Sequence, residues 1–126
     1  MISAKGTIDR HYASMLSLDC RCKTLDESAD GFIEGEAAGV MTLEAMTSSV
    51  RGVFVSGAAV NQDGRSASLT APNGPSQQAV VRSALSQARL SRSDVSGVSM
   101  HGTGTALGDP IELTAALSAL SDALSL

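Results

Sequence analysis

His101 heads the stretch of this chain whose residue types and spacing could do chemistry, His101 to Glu112, HGTGTALGDPIE. A neutral imidazole can donate a hydrogen bond to a carbonyl oxygen as that oxygen gains negative charge. Gly102, Gly104 and Gly108 would let a ligand approach the backbone closely. Thr103 and Thr105 carry hydroxyls that donate to or accept from an amide or a phosphate. A plainer reading is open for the same residues. A histidine before a glycine turn can be a hydrogen-bonded structural residue. Asp109 and Glu112 then serve as N-cap and N3 of a helix opening at Pro110, a capping-box arrangement. The loop lacks the lysine of a P-loop and the spacing of a dinucleotide fingerprint. From the residues alone, the reading is a small-molecule site near His101.

The elements that would position this site follow from hydropathy patterning. Residues 1–30 are mixed, with turn formers and short apolar stretches. Gly39–Leu43 (GVMTL) and Val50–Val60 (VRGVFVSGAAV) are near-continuously apolar and β-branched, which predicts strands covered on both faces. Glu44–Ser49 would connect them. Asn61–Gly74 is rich in turn residues and reads as a loop. A helix is predicted from Pro75 to about Leu90, with Val81, Ala84, Leu85 and Ala88 on one face. Val95–Met100 reads as a short strand running into His101. The helix from Pro110 has Leu113, Ala116, Leu117, Leu120 and Leu124 as its apolar stripe. Strand, strand, helix, strand, helix is the order of an α/β layered fold. Ligands in such sheets bind beyond the carboxyl ends of the strands, which is where His101 falls.

Composition narrows the class. A chain of 126 residues can bury a real core, and 43% of it is hydrophobic. Tyr12, Phe32 and Phe54 are its aromatics, and small residues take their place, as suits closely approaching layers. The net charge of -4 and the scattered Lys and Arg argue against nucleic acid as a partner. No apolar run approaches the ~18 residues of a membrane span, and the N-terminus lacks the apolar core of a signal peptide. A soluble, cytoplasmic protein is expected. Cys20 and Cys22 are too close for an ordinary framework disulfide, and no second cysteine pair completes a metal site, so two free thiols and no metal are expected.

Four ordered blocks carry a resemblance. HGTGT with LGDPIE (Leu107–Glu112) resembles the first histidine motif of ketosynthase domains in modular type I polyketide synthases. CKTLDESADGF (Cys22–Phe32) is similar to the family's RCxTFDxxADGY block. SGAAVNQDGRSASLTAPNGPSQQ (Ser56–Gln78) is similar to its RGSAVNQDGxSxGLTAPNGPxQ block. Met1–Ser17 resembles the stretch leading into the CxTFD block. The resemblance spans nearly the whole chain and implies a β-ketoacyl synthase of the thiolase-like superfamily.

The resemblance implies an α/β class: a partial thiolase-like fold, with incomplete αβαβα layers of mixed sheet plus helices. Residues 1–126 would be a single incomplete domain, about 1–60 ending the N-terminal half and about 61–126 starting the C-terminal half. It implies decarboxylative Claisen condensation of an acyl thioester with a malonyl-type extender, in polyketide or fatty acid biosynthesis. His101 would be the first catalytic histidine. Thr103 and Thr105 would hydrogen-bond the phosphopantetheine arm of an acyl carrier protein, with no cofactor bound directly. Asn61, Asp63, Gly64, Asp109 and Glu112 would support the site, and Glu112 would pair with a lysine outside this segment. The full domain would be a homodimer. The TACSSS-type nucleophile motif and the NIGH-type second histidine motif do not occur in the sequence, so activity of this segment alone is not expected. The chain departs from the family at Leu18 (usually Pro), Cys20 (usually a turn Gly), Glu34 (Arg), Ala37 (Gly) and Ser99 (Glu). The alternative is a non-catalytic ketosynthase-like module for structure or dimerisation. A third is an unrelated small α/β protein binding an anion at the Gly-Thr loop.

Overall fold

The computed structural model describes residues 3–45, 52–64 and 71–121. Its elements are α1 (Ala4–Tyr12), α2 (Gly74–Ala88), one 3-10 turn (Arg92–Asp94) and α3 (Gly108–Leu120). Among the described residues no helix is long and apolar enough to cross a membrane.

Helix α2 matches its prediction closely. Asn73 caps it, accepting from the Ser76 N–H at 3.1 Å, with Pro75 in the first turn. It ends at Arg89, which takes the left-handed conformation (φ +55°) usual for a helix terminus. Helices α2 and α3 pack against each other, and Arg82 donates to the Ser118 carbonyl at 3.0 Å across them. On α3 the buried apolar positions are Ala115 and Ala119. The predicted stripe is rotated from this face: Leu117 is exposed, and Leu124 lies outside the described residues. Two alanines let helices approach where leucines would hold them apart.

Helix α1 carries no strong signal in the sequence. It has Gly6 and the β-branched Thr7 and Ile8, and no buried stripe. Instead Ser3 Oγ caps it by accepting from the Gly6 N–H at 3.0 Å, and Lys5 pairs with Asp9 at 2.9 Å. Glu34 ties it down, accepting from Arg10 at 2.8 Å and from the Thr7 hydroxyl at 2.9 Å.

The predicted strands are not strands here. Gly39–Leu43, the described part of Val50–Val60, and Val95–Met100 carry no ladder; Leu16 and Phe32 form an isolated parallel bridge. The segments are apolar and β-branched as read, but a ladder needs a neighbour, and none lies beside them among the described residues. Val40 and Val60 are 97% and 96% exposed. Gly57 presses onto α2: a Cβ there would sit 2.5 Å from the Ala84 carbonyl oxygen.

The expected core is correspondingly thin. Ser17, Gly31, Gly104, Asp109, Ala115 and Ala119 are the buried positions among the described residues. The chain exposes 10153 Å², against roughly 6,300 Å² for a compact monomer of this mass. Unpaired apolar segments seek partners. The chain is therefore expected to self-associate in sedimentation velocity. Val53→Lys with Val55→Lys should weaken that association by roughly 100-fold, at roughly 1.5 kcal/mol per valine. A monodisperse monomer across the concentration series would contradict this.

Candidate active site

The start of α3 explains the local geometry. Thr105 Oγ1 accepts from the Gly108 N–H at 3.1 Å, and the Thr105 carbonyl accepts from the Asp109 N–H at 3.3 Å. These bonds satisfy donors that a helix start leaves open. The helix therefore begins at Gly108, with Leu107 as N-cap and no side-chain cap. This corrects the capping-box reading of Asp109 and Glu112. Their carboxylates are released to reach back across the loop instead. Glu112 accepts from the N–H groups of His101 (2.6 Å) and Gly102 (2.9 Å). Asp109, 2% exposed, accepts from the N–H groups of Gly104 (3.0 Å) and Leu25 (2.8 Å). Both oxygens of each carboxylate hold a backbone amide in place.

The loop is clamped from its other side by residues 22–31. Thr24 Oγ1 donates to the Gly102 carbonyl at 2.5 Å, and the Gly31 N–H donates to the Gly104 carbonyl at 3.0 Å. Gly102 and Gly104 have φ of +55° and +75°, and a Cβ on Gly104 would lie 2.6 Å from the Lys23 nitrogen. These two glycines thus admit the chain itself rather than a ligand, a second correction to the sequence reading. The clamp is closed by Lys23, paired with Asp30 at 2.7 Å and Asp19 at 3.1 Å. The Asp30 carboxylate raises the Lys23 pKa. The Ser17 hydroxyl and then Lys23 lower that of Asp19, and the Lys23 ammonium lowers that of Asp30.

A cavity of about 430 Å³ opens over the loop. His101, Thr103 and Thr105 line it together with Met15, Phe32, Pro72 and Gln77. The Thr103 and Thr105 hydroxyl oxygens are 3.3 Å apart. A histidine beside two hydroxyls and apolar walls can bind an acyl group and stabilise an oxyanion.

Asn61, Asp63 and Gly64 do not line this cavity. Asn61 donates to the Ser76 carbonyl at 2.7 Å, and Asp63 accepts from the Asn73 N–H at 3.2 Å through its side chain and from Asn73 Nδ2 at 2.7 Å through its carbonyl. Gly64 turns the chain at φ +63°. Asn61 and Asp63 thus pin the start of α2, which carries Gln77. Sequence reasoning missed Gln77, Met15 and Phe32; each is an ordinary helix or loop residue there, and only docking brings it to His101. Cys20 and Cys22 are free, exposed and away from the cavity lining. Cys22 Sγ accepts from the Ile33 N–H at 3.3 Å. Cys20 has φ +56°, the left-handed conformation that a turn glycine adopts without strain.

Known proteins resemble this chain over most of its length. The family described as "Beta-ketoacyl synthase, C-terminal domain" matches residues 53–125, and "Beta-ketoacyl synthase, N-terminal domain" matches residues 1–49. A phenolphthiocerol/phthiocerol polyketide synthase component of Mycobacterium tuberculosis is 49% identical over 113 residues, covering 86% of this chain and 5% of that protein. Polyketide synthase GfsB of Streptomyces halstedii is 54% identical over 108 residues, covering 82% and 2%. The ketosynthase from module 6 of the bacillaene synthase from Bacillus subtilis 168 superposes with a TM-score of 0.85 at 34% identity, covering 95% of this chain and 23% of that one. The chain thus spans about a quarter of a solved ketosynthase and a small part of the synthases it matches. The chain is part of a thiolase-type fold. With both domain descriptions matched in order, the chain belongs to the beta-ketoacyl synthase family.

Proposed function

We propose that this chain forms the His101 part of a condensing site that joins an acyl thioester to a malonyl-type extender. The extender, carried on the phosphopantetheine arm of an acyl carrier protein, loses carbon dioxide, and charge develops on the thioester oxygen of the resulting enolate. His101 donates an N–H to that oxygen. The enolate carbon attacks the acyl thioester, a carbon–carbon bond forms, and the thiolate leaves. Thr103 and Thr105 hydrogen-bond the arm. Glu112 holds the His101 backbone, Asp109 holds the loop, and Asn61 and Asp63 hold the α2 start. The nucleophilic cysteine and the second histidine come from outside these 126 residues, in a domain that acts as a homodimer. The carrying observation is that His101, Thr103 and Thr105 line a single cavity.

The test is a graft: residues 1–126 replace the corresponding quarter of the bacillaene module 6 ketosynthase. The graft should condense an acyl thioester with malonyl carrier protein. His101→Ala in the graft should lower the rate roughly 100-fold, as for loss of an oxyanion donor, and His101→Asn, which keeps an N–H, should recover part of it. Equal rates for the His and Ala grafts would sink the proposal and favour a non-catalytic, dimerising module.

A further inference from the structure

We infer that a basic notch toward the C-terminal end of α2 docks an acidic, amphipathic segment of a partner protein. The notch, of about 590 Å³, is lined by Arg82, Arg92, Ser86 and Ser91 with Leu85 and Leu90. It shares no lining residue with the His101 cavity. From Gln77, on that cavity, to the C-cap Arg89, α2 runs about 18 Å. Residues 64–93 hold four arginines and no Asp or Glu, in a chain of net charge -4. Folding brings Arg82 and Arg92 to one notch, and Arg89, exposed, precedes Leu90. The helix carbonyls that would oppose this charge are already bonded: those of Leu85 and Ser86 accept from the Leu90 and Arg89 N–H groups, each at 3.1 Å. Asp94 is turned onto Ser91, accepting from its N–H at 2.7 Å and its hydroxyl at 2.6 Å. Within residues 82–94 three guanidiniums therefore stand against one carboxylate.

The lining sets the chemistry of the occupant. A guanidinium has five N–H donors and no acceptor, and Arg82 spends one of them on the Ser118 carbonyl at 3.0 Å. That bond holds its fork in place, which spares a ligand part of the ordering cost. Carboxylates match such forks in a bidentate manner. Leu85 and Leu90 line the same notch, and Leu90 is 42% exposed. The fitting occupant therefore sets an apolar side chain beside its carboxylates, as an acidic amphipathic helix does. Nucleic acid fits less well. No aromatic side chain lines the notch for a base to stack on, and the net negative charge of the chain repels a phosphate backbone.

A fluorescein-labelled peptide of repeated Glu-Glu-Leu-Leu and its Gln-Gln-Leu-Leu counterpart differ in their carboxylates alone. In anisotropy titrations with the 126-residue chain at low ionic strength, the Glu peptide should bind about 10-fold more tightly, as for two partly exposed ion pairs. The margin should vanish at about 1 M salt. Arg82→Gln with Arg92→Gln should remove it while leaving the affinity for the Gln peptide unchanged. Arg92→Gln alone, which keeps the Arg82 bond to Ser118, should leave a margin of about 3-fold. Arg21→Gln, at an exposed arginine outside the notch lining, should leave the whole margin intact. Equal affinity for the two peptides, no binding of the Glu peptide, or a margin that survives the double variant would overturn the inference. So would a loss in the double variant that is the same for both peptides, the mark of arginines that only hold the notch in shape. Binding of an oligothymidylate that the double variant abolishes would assign the notch to nucleic acid instead.

Discussion

Replacing Gly104 by alanine is expected to cost about 3 to 5 kcal/mol, enough to abolish a cooperative urea transition in a chain with so thin a core. Two causes add. The backbone stands at φ +75°, where a Cβ costs roughly 1 to 2 kcal/mol. The new methyl would also lie 2.6 Å from the Lys23 nitrogen and 3.1 Å from the Gly31 carbonyl oxygen. Both are backbone atoms and cannot swing away as a side-chain tip can, and overpacking of this kind adds roughly 1 to 3 kcal/mol. The bond from the Gly31 N–H to the Gly104 carbonyl would break with them. Gly35→Ala is the control: nothing lies within 4 Å of its Cβ position, and it should leave the urea midpoint nearly unchanged. Equal effects at the two sites would show that residues 22–31 do not dock on the histidine loop.

Asp109→Ala is expected to cost a similar amount, about 3 to 5 kcal/mol. The carboxylate is buried and each oxygen holds one backbone N–H, from Gly104 and Leu25. Bonds to charged groups contribute roughly 1.5 to 3 kcal/mol each, and their loss leaves two donors without partners. Asp109→Asn should recover only part of this, since its amide keeps one acceptor and turns an NH2 toward the other donor. The distinguishing measurement is amide hydrogen exchange. Leu25 and Gly104, far apart in the chain, should lose protection together in Asp109→Ala while the amides of α2 keep theirs. Unchanged exchange at Leu25 would show that the carboxylate does not bridge the two loops.

Much of this molecule was legible before any coordinates. Helix α2 carries its own start in Asn73 and Pro75 and its own periodicity, so local rules found it. The histidine loop announced itself by composition, and its family by four blocks in order. Helix α1 escaped because a serine cap and the contacts from Glu34 hold it, not an apolar stripe. Glu34, a departure from the family's usual arginine, accepts from Arg10, which a second arginine would repel. The three predicted strands are not strands among the described residues, because a ladder is a property of two segments. Nothing among the described residues lies beside them to pair with.

Sequence by itself determined the family and the helices α2 and α3, because motif identity, capping and periodicity are local in the chain. The tertiary structure alone decided what the glycines and carboxylates are for. Gly104 admits the backbone of a loop about 80 residues earlier, Asp109 bonds an amide 84 residues away, and Gln77 is carried to the wall beside His101. Hydrogen bonds and close contacts at that separation depend on how segments dock. No rule of spacing or propensity encodes docking, so these roles became visible only once the chain was folded.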